Sequence, residues 1–143
     1  MSFVRVLTAA LLSCGVLATA QDLHRACEDL SYENRNQIDN GPFVLKEIRG
    51  VAKDRDGVPV PSVCIGVFGE TDHKRLATIQ TDAKGRFELK AIPDGDYRIV
   101  AKCEGFCPAN TRIRIRARSG MATALSVHIR PAGIDTCSYI DQK

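Results

Sequence analysis

The sequence has 143 residues and a formal net charge of +3, from 20 Lys and Arg against 17 Asp and Glu. That length suits one domain with a buried core. So small a positive charge does not indicate a nucleic-acid partner, and none is expected.

The first twenty residues have the pattern of a signal peptide. Arg5 precedes an apolar run over 6–17, and Ala18-Thr19-Ala20 has the form that signal peptidase cleaves. The apolar run is shorter than the ~20 residues that span a bilayer, so no transmembrane segment is expected after signal removal. We therefore predict a secreted or periplasmic protein that starts at Gln21.

A lipid anchor is the alternative to simple secretion. Leu11-Leu12-Ser13-Cys14 resembles a lipoprotein cleavage box, in which Cys14 would be acylated. Cleavage there would tether the protein to a membrane.

The chain divides into a signal peptide (1–20), an N-terminal arm (21–42), a β-sandwich (43–131) and a C-terminal tail (132–143). In the arm, apolar residues and Cys27 occur at helical spacing. The arm is therefore either a short helix or an irregular segment held by Cys27.

The sandwich is predicted from short alternating runs of apolar and polar residues, separated by turn signals about every ten residues. No helical period of useful length follows residue 40. The predicted strands are 43–53, 63–68, 76–81, 86–90, 97–102, 111–118 and 121–130.

The last two predicted strands read as a hairpin. Pairing their apolar sides places Ile115 opposite Leu125, which requires an odd number of loop residues or a bulge. Burying the shared apolar face favours this register, since each buried Leu or Ile contributes roughly 1.5–3 kcal/mol.

Five cysteines follow the signal peptide: Cys27, Cys64, Cys103, Cys107 and Cys137. Cysteines at this density in exported proteins usually form disulfides. Because five is an odd number, one cysteine keeps a free thiol or forms a disulfide with another chain. Cys27 and Cys137 flank the sandwich, so a bond between them would hold both tails. We predict that bond, with Cys64 pairing to Cys103 or Cys107. A bond between Cys103 and Cys107 is the competing arrangement.

An arginine row is the most unusual feature of the sequence. Arg112, Arg114, Arg116 and Arg118 alternate with apolar residues, so a regular strand would place them on one face about 6.6 Å apart. Like charges so close need acidic neighbours. Either Glu88 and Glu104 lie beside a solvated face, or the row binds an acidic protein or polysaccharide surface.

Several spaced motifs resemble the carboxypeptidase regulatory-like domains, which are related in fold to transthyretin-like and collagen-adhesin B-type repeats. The residues that carry the resemblance are Gly50, Asp54, Gly57, Pro59, Val60, Val63, Ile65, Thr81-Asp82, Gly85-Arg86-Phe87, Pro93, Gly95, Tyr97 and Gly105-Phe106. The resemblance implies an all-β, seven-stranded Greek-key sandwich, found mostly in exported and surface proteins. It implies no catalysis.

Residues for catalysis or metal binding do not occur at useful spacing. His24, His73 and His128 are far apart, and the C-terminal Tyr-Arg-Gly-Ser motif of transthyretin-like hydroxyisourate hydrolases is absent. We expect no catalytic residue, metal or cofactor.

The sequence thus favours a secreted, non-catalytic module with a binding or structural role at the cell exterior. A carbohydrate-binding accessory domain is an alternative that requires exposed, clustered aromatic residues among Tyr32, Phe43, Phe68 and Tyr139. A small transthyretin-like hydrolase would require two histidines and an arginine in one cleft.

Overall fold

The structure is a computed structural model that describes residues 27–133 and 137–143. The predicted signal peptide, Cys14 and the first residues of the arm lie outside the described residues. His24 lies there too.

Nine strands form two packed sheets, and the described residues contain no helix. The strands are β1 (Phe43–Leu45), β2 (Ile48–Lys53), β3 (Cys64–Gly69), β4 (Arg75–Gln80), β5 (Arg86–Leu89), β6 (Gly95–Lys102), β7 (Ala109–Ile115), β8 (Leu125–His128) and β9 (Tyr139–Gln142). One sheet has the order β1-β7-β6-β3-β4 and the other β5-β2-β8-β9. The predicted all-β sandwich is confirmed, with nine strands instead of seven.

The predicted first strand is split between the two sheets. Leu45 and Ile48 are both fully buried although only two residues separate them, which breaks the alternation of a single strand. The chain therefore crosses the sandwich at this point. β1 lies parallel to β7, whereas β2 pairs with β5 and β8.

The predicted hairpin of the last two strands is wrong. β7 and β8 belong to different sheets: Ile115 lies opposite Gly95, and Leu125 lies opposite Gly50. Both Ile115 and Leu125 are 1% exposed and belong to the same core cluster. Their apolar sides face one another across the sandwich, so the core is satisfied without pairing the strands.

The predicted C-terminal tail contributes a strand. β9 pairs antiparallel with β8, and its Ile140 is 1% exposed in the core. The arm contacts this strand, since the Asn40 side-chain amide donates a hydrogen bond to the Ile140 carbonyl oxygen at 3.2 Å.

The described part of the arm is irregular and covers the outer face of the five-stranded sheet. Leu30 and Tyr32 are buried there with Phe68 and Val100. Gly66 of β3 makes the close approach possible, since an added Cβ would lie 2.7 Å from Leu30 Cδ2.

Arg98 of β6 connects this arm to the sheet. Arg98 is 7% exposed, and its guanidinium forms two hydrogen bonds to Glu70, at 2.9 and 3.1 Å. Nη1 donates to Asp39 of the arm at 3.1 Å and to Asn110 of β7 at 2.7 Å, and the Tyr32 hydroxyl accepts from Nε at 3.3 Å.

Glu70 and Asp39, the two acids beside Arg98, stabilise its charged form. Burial alone would lower the pKa of Arg98, but hydrogen bonds and charge from Glu70, with Tyr32, raise it above the usual range. Burial would raise the pKa of Asp39, yet hydrogen bonds from Arg112 and Gly41 and the Arg98 charge lower it.

The disulfides are Cys27–Cys64 and Cys107–Cys137, and Cys103 is unbonded. This differs from the predicted pairing. Cys64 points to the outer face of the five-stranded sheet, where the arm brings Cys27. The adjacent Cys103 packs against the inner core, so the two side chains lie on opposite faces of the sheet.

We expect non-reducing peptide mapping to join Cys27 to Cys64 and Cys107 to Cys137. Alkylation without reductant should label Cys103 alone, and slowly, because burial and the Glu104 charge raise the pKa of its thiol. Denaturant should accelerate this labelling. A peptide joining Cys27 to Cys137 would contradict the fold of the arm.

Replacing Arg98 by Met should destabilise the protein by about 3 kcal/mol, because Asp39 and Glu70 would lose their shared cation in a largely dry site. The matched control is Arg114→Met, which removes an exposed ion pair and should cost under about 1 kcal/mol. Urea unfolding measures both variants. Equal losses would mean that Arg98 does not hold the arm.

Candidate functional site

The structure does not place the four predicted arginines on one strand face. Arg112 and Arg114 are exposed on β7, but the strand ends at Ile115. Arg116 follows the strand end and Arg118 lies in the turn beyond it.

Aspartates neutralise most of this row. Arg112 Nε lies 2.9 Å from Asp39, and Arg114 Nε lies 2.7 Å from Asp96, which Arg116 approaches at 3.9 Å. The hydrogen bond from Arg114 lowers the pKa of Asp96 against the opposing effect of burial, and the charges of Arg114 and Arg116 lower it further. The neighbours are thus aspartates of the arm and of β6, not the expected glutamates.

The expected glutamates lie elsewhere. Glu88 belongs to β5 of the other sheet, and Glu104 follows β6 in a loop. The cross-strand pair of Asp96 and Arg114 follows from the β6–β7 register, which the sequence pattern does not specify.

A groove of about 880 Å³ lies beside the Cys27–Cys64 disulfide. Cys103, Glu104 and Phe106 form part of its wall. Lys102 also lines it, and its ammonium lies 2.7 Å from Asp29. This ion pair neutralises the one lysine in the groove wall, so the groove offers an anion little attraction.

The two described histidines lie on the outer sides of different sheets. His73 is exposed and stacks on Tyr32 of the arm, with ring centroids 3.7 Å apart. His128 of β8 stacks on Tyr139 of β9 at 4.3 Å. The cleft with two histidines that a hydrolase would require is therefore not formed by these two.

The four aromatic residues considered for sugar binding do not form an exposed cluster. Tyr32 of the arm is 6% exposed and Phe68 of β3 is 3% exposed. Both side chains are buried between the arm and the five-stranded sheet. Phe43 packs against the core, and Tyr139 lies on the other sheet.

The outer face of the four-stranded sheet holds a separate cluster around His128. Lys53 of β2 lies opposite His128 in the ladder, and Tyr139 lies opposite it on the other side. The Asp141 carboxylate is 3.8 Å from His128 Nε2. Arg130 lies with its guanidinium carbon 5.9 Å from the Tyr139 ring centre. We call Lys53, His128, Arg130, Tyr139 and Asp141 the His128 cluster.

The cluster favours the neutral imidazole. Burial lowers the pKa of His128, and the charges of Arg130 and Lys53 lower it further, while Asp141 opposes them. Lys53 is the ladder neighbour of His128, and Arg130 lies over the Tyr139 ring that stacks on His128.

Lys53 and Arg130 lack counter-ions within the described chain. Neither side chain forms a hydrogen bond or an ion pair with a described residue, and Arg130 Nε is buried without an acceptor. Other cations of this sheet are paired: Arg49 with Glu47, and Arg86 with Asp82. A buried donor without a partner costs about 1–3 kcal/mol. Arg130 Nε is out of a partner's reach, but Lys53 Nζ and the Arg130 Nη groups are not buried and could take an added acceptor.

The sequence does not predict this cluster, because its pattern assigns residues 132–143 to a C-terminal tail. Tyr139 and Asp141 are eleven and thirteen positions from His128 in the sequence, and only the β8–β9 register brings them beside it. The alternation of Asp141 with Ile140 was the available signal.

Among residues 27–133 and 137–143, no three His, Cys, Asp or Glu side chains are grouped so that they could hold a metal ion. Nor does that part of the chain contain a helix long and apolar enough to cross a membrane. The two disulfides indicate an extracytoplasmic location.

Two solved structures share the fold. The 5-hydroxyisourate hydrolase of Klebsiella pneumoniae is 21% identical with a TM-score of 0.51, over 68% of this chain and 97% of its own. Transthyretin from Sparus aurata is 18% identical with a TM-score of 0.50, over 66% and 97%. At these identities the likeness shows a transthyretin-like fold alone.

A family model gives the membership directly. No curated protein matches the sequence. The model of the carboxypeptidase regulatory-like domain matches residues 47–130, more than half of the chain. The resemblance found in the sequence motifs is therefore confirmed, and this protein belongs to the carboxypeptidase regulatory-like domain family.

Proposed function

We propose that this protein is an exported, non-catalytic binding module that recognises carboxylate-rich surfaces through the His128 cluster. The observation that carries the proposal is the pair of partly buried cations, Lys53 and Arg130, that have no counter-ion among the described residues. A surface carboxylate of a partner would supply the missing acceptor.

The arrangement of the two sheets supports this choice of surface. The arm covers the outer face of the five-stranded sheet and buries Val100, Phe68 and Arg98 there. On the four-stranded sheet, Arg49, Arg86 and Glu88 are exposed, and the cluster is partly exposed. A partner can therefore reach the second sheet without displacing the arm.

The arginine row is a weaker candidate for an acidic partner. Asp39 and Asp96 already accept from Arg112 and Arg114, so a partner would have to compete with them. Ion pairs between a partner's carboxylates and these exposed arginines would contribute little binding free energy, because an aspartate already pairs with each of them.

A non-catalytic role fits the engagement of the described histidines. His73 is stacked against Tyr32, and His128 against Tyr139, on different sheets. Export with cleavage after Ala20 fits the disulfides, and a lipid anchor at Cys14 remains the competing form of the exported protein.

Changing Lys53 and Arg130 together to Gln should weaken binding to poly-L-glutamate about tenfold at low salt. Two partly exposed charge contacts give about 1.4 kcal/mol, and raised salt should remove the difference. Binding is measured by fluorescence anisotropy of labelled polymer. Alginate, a carboxylated polysaccharide, tests whether the carboxylate or the peptide backbone is recognised.

The matched control is the Arg114→Gln, Arg116→Gln double variant, which removes two exposed charges from the row. Its affinity should stay within about twofold of the wild type, because Asp96 already partners both residues. A tenfold loss in this control with none in the Lys53, Arg130 variant would move the site to the arginine row.

Binding should strengthen as the pH falls from 7 towards 5. Burial and, to a smaller extent, the cations around His128 keep its pKa low, and a bound carboxylate would raise it, so binding takes up a proton. His128→Gln should abolish this pH dependence while retaining the binding at pH 7. A pH profile unchanged by this substitution would exclude His128 from the site.

A further inference from the structure

β4 is the sheet edge that the described chain leaves without protection. The β1 edge is covered by Met121, which donates its N–H to the Val44 carbonyl oxygen at 3.1 Å. The β9 edge receives the Asn40 side chain, and the four-residue β5 carries charged side chains. Edge strands with neither cover nor charge are templates for further pairing.

The composition of β4 fits pairing with another strand. Between Leu76 and Gln80 it has no charge and no proline, and Leu76 is 50% exposed. Ala77 and Ile79 on its inner side are only partly buried against the core. No described segment donates to or accepts from its outer backbone edge.

The hydrogen-bond alternation determines which groups point outward. Thr81 directs both backbone groups towards β3, since it donates to Val63 and accepts from Ser62, each at 3.0 Å. Successive residues of a strand alternate in this direction. The N–H and C=O of Gln80 and Thr78 therefore point away from the sheet.

We propose that β4 pairs antiparallel with β4 of a second copy of this chain, around a twofold axis at Thr78. In this register the two Thr78 residues exchange both backbone hydrogen bonds, as the outward direction of their groups requires. Ala77 lies opposite Ile79 of the second copy, so the partly buried edge of each core is covered by an apolar residue.

Charge also fits this register. Arg75 lies opposite Thr81 of the second copy and Leu76 opposite Gln80, so no like charges meet along the strand pair. A twofold axis makes every contact occur twice, and the contact closes on itself without forming a fibre. The two five-stranded sheets would then form one continuous sheet of ten strands.

The contact is small, so the association is weak. A strand pair buries less than the ~1,200–2,000 Å² of stable complexes, and a dissociation constant of about 0.1 mM is reasonable. The surface is distinct from the His128 cluster, which lies on the other sheet, and either proposal can fail without the other.

Sedimentation equilibrium between about 10 µM and about 1 mM tests the pairing, with Cys103 alkylated to exclude thiol-linked dimers. The mass of the wild type should rise from monomer towards dimer. Thr78→Arg and Thr78→Glu should each remain monomeric, because two like charges would meet on the axis. An equimolar mixture of these two variants should dimerise.

Thr78 is exposed, so both variants should keep the wild-type melting temperature, which excludes misfolding as the cause. Val58→Arg, in an exposed loop, is the charge control and should dimerise like the wild type. A wild type that stays monomeric overturns the proposal and leaves the edge to a strand of another protein. So does a mixture of the charged variants that stays monomeric.

Discussion

The buried charge of Arg98 is the constraint on which much of this structure depends. A guanidinium this far from water requires acceptors for its donors, and Glu70, Asp39 and Asn110 supply them from a loop, the arm and a neighbouring strand. The arm has too few apolar residues to bind the sheet by burial alone, since Leu30 and Tyr32 are its main buried side chains. Its position therefore depends on the combination of this ion-pair network and the Cys27–Cys64 bond.

Covering one sheet with the arm divides the molecule into two chemically different sides. On the arm side, Asp39 serves both Arg98 and Arg112, so the same carboxylate holds the arm and neutralises part of the arginine row. On the other side, β9 brings Tyr139 and Asp141 to His128, while Lys53 and Arg130 keep no described counter-ion. A net charge of +3 says nothing about this division, because it depends on which carboxylate reaches which cation.

The core imposes a second constraint, through the crossings between sheets. Between β1 and β9 the chain changes sheets five times, and at two of these crossings, after Leu45 and after Ile115, an apolar residue of one sheet faces the other sheet. Burying an apolar side chain stabilises the fold as much when it packs against the opposite sheet as when it packs against a neighbouring strand. For that reason the apolar alternation identified the buried faces of β7 and β8 correctly but assigned them to the wrong partners.

Local patterns in the sequence predict the fold class and most of the strands, because alternation and turn residues such as Gly85, whose φ is +71°, act locally. The sequence also carries the family motifs between Gly50 and Arg130. The pairing of the cysteines, the burial of Arg98 and the position of Asp141 beside His128 follow from the tertiary structure alone. Each of these depends on the distance between residues remote in sequence, and on which sheet face a side chain takes, which local patterns do not encode.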